Sequence, residues 1–203
     1  MRFNRIYRIG LEVEGGWNRA PTYPGCTMAS DMSVTVSGYT AKEAVSLPLA
    51  SIDEGKAFLR GIYPHAVNNT CGFHVHFSFI NPADYARLMD KIFFDFWLDE
   101  VRKWGLENQI RNKNFWHRLS GQNTYCKRVH QPDAQSIQTG KGTYRYAHWN
   151  FCYKFHKTVE CRMMPTFKNV ATAEKALEFL VNTVEKFLES APEQIGYRKI
   201  ITE

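Results

Sequence analysis

The spacing of apolar and polar positions changes several times along the chain. Residues 5–14 alternate: Ile9, Leu11 and Val13 share one parity, and Gly10, Glu12 and Glu14 share the other. Alternation of this kind marks a strand with one buried face. The pattern predicts a first strand that Gly15-Gly16 ends. Residues 18–25 contain two prolines and read as a loop. Residues 32–38 alternate weakly, and residues 43–48 form a shorter run stopped by Pro48. Together they predict a hairpin turned around Gly38-Tyr39-Thr40. The run Cys71 to Phe79 puts Phe73, Val75, Phe77 and Phe79 on one face of a strand. His74, His76 and Ser78 fall on the other, with the two imidazoles roughly 7 Å apart along the backbone.

Helical spacing appears between these runs. Ser51 followed by Glu54 is a capping box, so a helix is expected over 52–62. Asn81-Pro82 pairs an N-cap residue with proline at the first helical position. The stripe of Tyr85, Leu88, Ile92, Phe96 and Val101 carries that helix to Trp104, with Gly105 as its stop. A more polar helix is expected over 106–119. Residues 120–143 are rich in Gly, Gln, Asn, Thr and Pro and read as a long binding or lid loop. Residues 144–155 and 157–163 predict paired strands, and residues 171–190 a final amphipathic helix. There is no internal repeat. Strands and helices of these lengths, in this order, predict one α+β domain over 1–203.

Composition adds less. The chain has 203 residues and a net charge of +6, from 26 Lys and Arg against 20 Asp and Glu. A basic surface suits nucleic acid or phosphorylated small molecules. No run of Lys or Arg exceeds two residues, so nucleic acid is not expected to be the main partner. Five cysteines occur without a C-x-x-C pair, the N-terminus has no apolar leader, and no apolar stretch nears a membrane span. A reduced, cytoplasmic setting without a membrane is expected.

Three predicted strands place paired polar groups on one face: Glu12-Val-Glu14, His74-Val-His76 and Glu160-Cys-Arg162. Carboxylates gathered on one face repel each other unless a cation sits between them. An oxygen-rich set with imidazole suits Mg²⁺ or Mn²⁺ better than structural Zn²⁺, for which no Cys pair is present. Arg162 beside Glu160 offers a fork for phosphate or carboxylate. The sequence contains neither a Walker-type loop nor a Gly-x-Gly-x-x-Gly turn. Any nucleotide would be held by metal and arginine.

Gly10-Leu-Glu12-Val-Glu14, Cys71-Gly-Phe-His74-Val-His76 and Thr158-Val-Glu160-Cys-Arg162 resemble the motifs of the amidoligase family. That family belongs to the carboxylate–amine ligase superfamily, with glutamine synthetase and glutamate–cysteine ligase. Asp31-Met-Ser33, Glu43-Ala-Val-Ser46-Leu-Pro48, Ser120-Gly121 to Tyr125-Cys126 and Arg145 to Asn150 extend the resemblance across residues 8–190. The family's usual Asp-Gly-Ser turn is Asp31-Met32-Ser33 here.

The resemblance implies a glutamine-synthetase-like, curved, mostly antiparallel sheet. Its active site would lie on the concave face, and helices would pack on the convex face. It also implies an ATP-dependent ligase that joins a carboxylate substrate to an amine substrate through an acyl phosphate. By similarity, Glu12, Glu14, Glu43, His74 and Glu160 would hold two or more Mg²⁺ or Mn²⁺ ions. His76 would contact the nucleotide phosphates. Arg145 and Arg162 would stabilise the transferred phosphoryl group or grip a substrate carboxylate. Two other readings stand beside it. A cupin-type single-metal enzyme would use the H-x-H strand. A non-catalytic nucleic-acid-binding protein would use the basic, aromatic surface.

Overall fold

The computed structural model describes residues 3–130, 145–151 and 157–190. Among them, β1 (Ile6–Trp17), β2 (Cys26–Ala29), β3 (Thr40–Ser46), β4 (Phe73–Phe79), β5 (Trp149–Phe151) and β6 (Val159–Cys161) form one antiparallel sheet. Its order is β2-β3-β1-β4-β6-β5. Five helices among the described residues accompany it: α1 (Ile52–Ile62), α2 (Pro82–Leu88), α3 (Lys91–Glu107), α4 (Lys113–Ser120) and α5 (Val170–Glu189). The architecture is α+β.

Alternation determines which face is buried. Ile9, Leu11 and Val13 of β1 and Phe73, Val75 and Phe77 of β4 are all buried in a single apolar core. Each such side chain contributes roughly 1.5–3 kcal/mol through removal from water. Ile6 and Ile9 are both buried although three residues apart. A shift in the β1–β4 register between Ile6 and Arg8 restores the parity.

Helices cover the apolar face. Gly55 of α1 meets Leu177 of α5, where a Cβ would stand 2.6 Å from Leu177 Cδ2. Lys56–Glu178 and Arg60–Glu174 ion pairs flank that contact. Phe93 of α3 makes edge contacts at 4.9 Å with Trp149 of β5 and with Phe187 of α5. This ring cluster ties the short outer strands to the helical layer.

Several expectations need correction. The hairpin partner of β3 is β2, not residues 32–38, which hold turns at 32–33 and 37–38 and no strand. Asp31 Oδ1 accepts from Ser33 N and Ser33 Oγ, both at 2.7 Å, and this side-chain turn bends the chain out of extension. Gly15 and Gly16 do not end β1, which runs to Trp17. They allow close packing instead, because a Cβ on Gly15 would collide with Pro64 and one on Gly16 with Val36 and Tyr39. The helix expected over 82–104 is two helices. Asp90 caps the second by accepting from Ile92 N at 2.9 Å. Gly105 lies inside α3 and packs on the Phe115 ring. The helix expected over 106–119 is confined to Lys113–Ser120, with Asn112 as its cap. Ser51 caps α1 as expected by accepting from Glu54 N at 3.1 Å, but the Glu54 carboxylate accepts from Ala50 N in place of Ser51 N; the Asn81-Pro82 start is present as expected. Within 144–155 and 157–163 the described strands are Trp149–Phe151 and Val159–Cys161. Residues 131–144 of the expected loop, and 152–156 of the expected strand, lie outside the described residues.

Candidate metal and phosphate site

The face of the sheet opposite the core gathers the polar groups. Register puts Glu43 opposite Glu14, Glu12 opposite His74, Gly10 opposite His76, and Glu160 opposite both His76 and Asn150. Gly10 has no side chain to crowd its partner: a Cβ there would touch His76 Cβ. That open position lets His76 reach Glu12 on the same strand.

The contacts form a continuous row. His76 Nε2 lies 3.0 Å from Glu12 Oε1, and His74 Nδ1 lies 3.3 Å from Glu12 Oε2. His74 Nδ1 is also 3.3 Å from Glu160 Oε1. Arg162 donates to Glu160 Oε1, and Asn150 Nδ2 donates to Glu160 Oε2 at 2.8 Å. Thr158 Oγ1 lies 3.1 Å from His76 Nδ1 and orients the ring from behind. At the other end, Gly72 N donates to Glu14 Oε2. Thr166 Oγ1 contacts the carbonyl oxygens of Glu14 and Gly72 at 2.8 and 2.7 Å.

Electrostatics divides the carboxylates. Burial opposes ionisation of Glu12, but hydrogen bonds to His74 and His76 win and hold its carboxyl well below the usual range. Burial likewise opposes Glu160, and the charges of Arg162, His76 and His74 outweigh it. Glu43 goes the other way. Burial first, then repulsion from Glu12, Glu14 and Asp31, pushes its carboxyl up to about 8. A carboxyl raised by its acidic neighbours marks a local excess of negative charge, which a cation would relieve.

Among the described residues, three groups of side chains present ligand atoms within 4.8 Å of one another: Glu12, His76 and Glu160; Glu12, Glu43 and His74; and Glu14, Asp31 and Glu43. All five residues expected as metal ligands, Glu12, Glu14, Glu43, His74 and Glu160, occur in these groups. His76, expected as a phosphate contact, falls in one of these groups as well. Asp31 is an addition. Its only local signal was the turn it shares with Ser33, and nothing near it in sequence links it to Glu43. Asn150 is the second addition, visible only once β5 and β6 are paired in register.

The two expected arginines converge on one ring. The guanidinium carbons of Arg145 and Arg162 stand 5.2 and 5.8 Å from the centre of Tyr146. Arg162 is mostly buried against Glu160, whereas Arg145 is exposed. Behind them lies Arg118, which is 1% exposed. Its NH1 donates to the Arg162 carbonyl at 2.9 Å, fixing the backbone that carries Arg162. Sequence reading missed Arg118, because an arginine in a polar helix reads as solvated.

A comparison with protein-family models yields no match, and comparisons with curated proteins and with solved structures yield none either.

Proposed function

We propose that the chain is an ATP-dependent carboxylate–amine ligase of the amidoligase type. Its sheet would form the concave wall of a glutamine-synthetase-like fold. The observation that carries this reading is the cross-strand register of Glu43, Glu14, Glu12, His74, His76 and Glu160 on one face, with Arg162 at its end. The raised Glu43 carboxyl supports cation binding there. Glu12, Glu14, Asp31, Glu43, His74, His76 and Glu160 are the residues that would hold Mg²⁺ or Mn²⁺. Bound ions would supply neutralisation of phosphate charge and alignment for attack by a carboxylate.

The chain's own groups have separate tasks. Arg162 presents a guanidinium beside the row, where phosphoryl or carboxylate oxygens would meet it. Arg145, on the same Tyr146 ring but exposed, suits the incoming anion at the mouth. Asn150 and Thr158 orient Glu160 and His76. Removing a cationic contact to a transferring group costs on the order of 3 kcal/mol of transition-state stabilisation. The cupin reading has less support, because the described strands form an open sheet with β2 and β5 at its edges and not a closed barrel. Among the described residues no helix is long and apolar enough to cross a membrane.

The test is nucleotide cleavage and amide formation with Mg²⁺ or Mn²⁺ and mixtures of acids and amines. Mn²⁺ binding would be followed in parallel by paramagnetic resonance. Glu12→Gln and His74→Ala are expected to lose both activities and to weaken Mn²⁺ binding at least tenfold. Unchanged Mn²⁺ affinity in both variants would sink the site.

A further inference from the structure

A second recess lies at the end of the sheet where β4 begins. Its walls are the turn 67–69, the α3–α4 connection and the segment from Thr166 into α5. The volume is about 570 Å³, the size of a small-molecule pocket. None of the proposed metal ligands lines it.

Its polarity has one sign. Arg111, Lys113 and Lys168 line it, and among the described residues no carboxylate does. Seven of its fifteen lining residues are Asn or Gln, and most are fixed by the fold: Asn68 by Thr35 and Thr70, Asn108 by Trp104, and Asn112 and Asn169 as helix caps. The N-caps of α4 and α5, Asn112 and Asn169, both belong to the wall. The two helices therefore turn their positive ends toward the same space. Asn114 is held in the wall by Asn123, whose Nδ2 donates to its Oδ1 at 2.9 Å.

An ammonium group would meet only like charge in this recess. An apolar ligand would leave the three cations without a counter-charge. We propose that the recess binds a small polyanion carrying two or more phosphate or carboxylate groups. The site stands on its own residues and does not depend on the ligase reading. Thr166, which lines the recess and contacts the Glu14 carbonyl, is its one shared element with the acidic row.

The experiment is calorimetric titration of the metal-stripped full chain at low salt, with pyrophosphate and with citrate as probes. Saturable binding of either at one site supports the proposal. Pyrophosphate alone identifies phosphate as the preferred group, and citrate alone identifies carboxylate. The Arg111→Ser/Lys168→Ser double variant should weaken the bound probe at least tenfold, and Glu12→Gln should not. Both substituted side chains are exposed, and Arg111→Gln alone serves as a milder second variant with an expected severalfold loss. Three outcomes overturn the proposal: neither probe binds, affinity is unchanged in both cation variants, or only a polynucleotide binds.

Discussion

Glu14 lies directly across the β1–β3 pair from Glu43, and Asp31 joins them within metal-ligand distance. Like charges opposite each other weaken a strand pair. The Glu43 carboxyl is accordingly pushed up to about 8, by burial and then by its acidic neighbours. The pair is a poor way to hold a sheet together and a good way to hold a cation.

Replacing one member separates these roles. Glu43→Gln keeps the shape and removes the need to hold a carboxyl protonated far above its ordinary pKa. The metal-free variant should be as stable as the wild type, or more stable by about 1 kcal/mol. Mn²⁺ raises the melting temperature of any protein it binds only when folded. Most of that rise should vanish in Glu43→Gln. Thermal unfolding with and without Mn²⁺ checks both halves, and a variant that keeps the full Mn²⁺ shift would remove Glu43 from the ligand set.

Gly72→Ala addresses the junction of β1 and β4. A Cβ there would collide with His74 Nε2 and stand 3.1 Å from Glu14 Oε2. Gly72 N also donates to that same carboxylate. The methyl should displace the His74 ring and cost about 1–2 kcal/mol, in the manner of an overpacked core. Mn²⁺ affinity should fall at least tenfold, more than so small a loss of stability explains. Calorimetry and denaturant unfolding on the same variant separate the two effects.

Arg162→Gln removes the cation beside a carboxylate that is almost fully buried. His74 and Asn150 remain as partners of Glu160. The loss should be about 3 kcal/mol, the lower end for breaking a buried ion pair. Mn²⁺ should restore part of it by supplying another positive charge. Urea unfolding in the presence and absence of Mn²⁺ tests this. A loss that Mn²⁺ leaves untouched would place Glu160 outside the cation site.

The sequence was most legible where period and parity act locally. Glu12, Glu14, His74, His76 and Glu160 could be assigned to one face because alternation with buried Leu11, Val13, Val75 and Cys161 fixes direction. Legibility failed where a distant contact decides. Gly15-Gly16 looks the same as a terminator, and only Pro64, Val36 and Tyr39 make it a packing position. Residues 26–29 are a strand because β3 offers an edge, not because of their own pattern. Met32 sits in an alternating run yet is 97% exposed, since the Asp31–Ser33 turn overrides propensity there. Asp31 and Asn150 join the site through tertiary register alone. Arg118 inverts the usual rule that charge faces water, and no local signal could have shown it.

His148 yields a prediction about pH. It is fully buried, and its Nε2 donates to the Arg118 carbonyl at 2.8 Å. Burial pulls its pKa down to about 4, and the charges of Arg128 and Arg118 act in the same direction. The folded chain therefore keeps this imidazole neutral, while an unfolded chain protonates it near pH 6.5. Between those values the unfolded state binds the extra proton, so stability rises with pH across the window. The contribution is fully present above pH 6.5 and is lost as pH falls toward 4. The depressed pKa corresponds to about 3 kcal/mol over the whole window. His148→Gln keeps a hydrogen-bond donor without a proton to gain. Denaturant unfolding at pH 7 and pH 5 should show the wild type losing about 2 kcal/mol more than the variant. Equal losses would mean that His148 is protonated in the folded chain, with Nδ1, which has no partner among the described residues, carrying the charge.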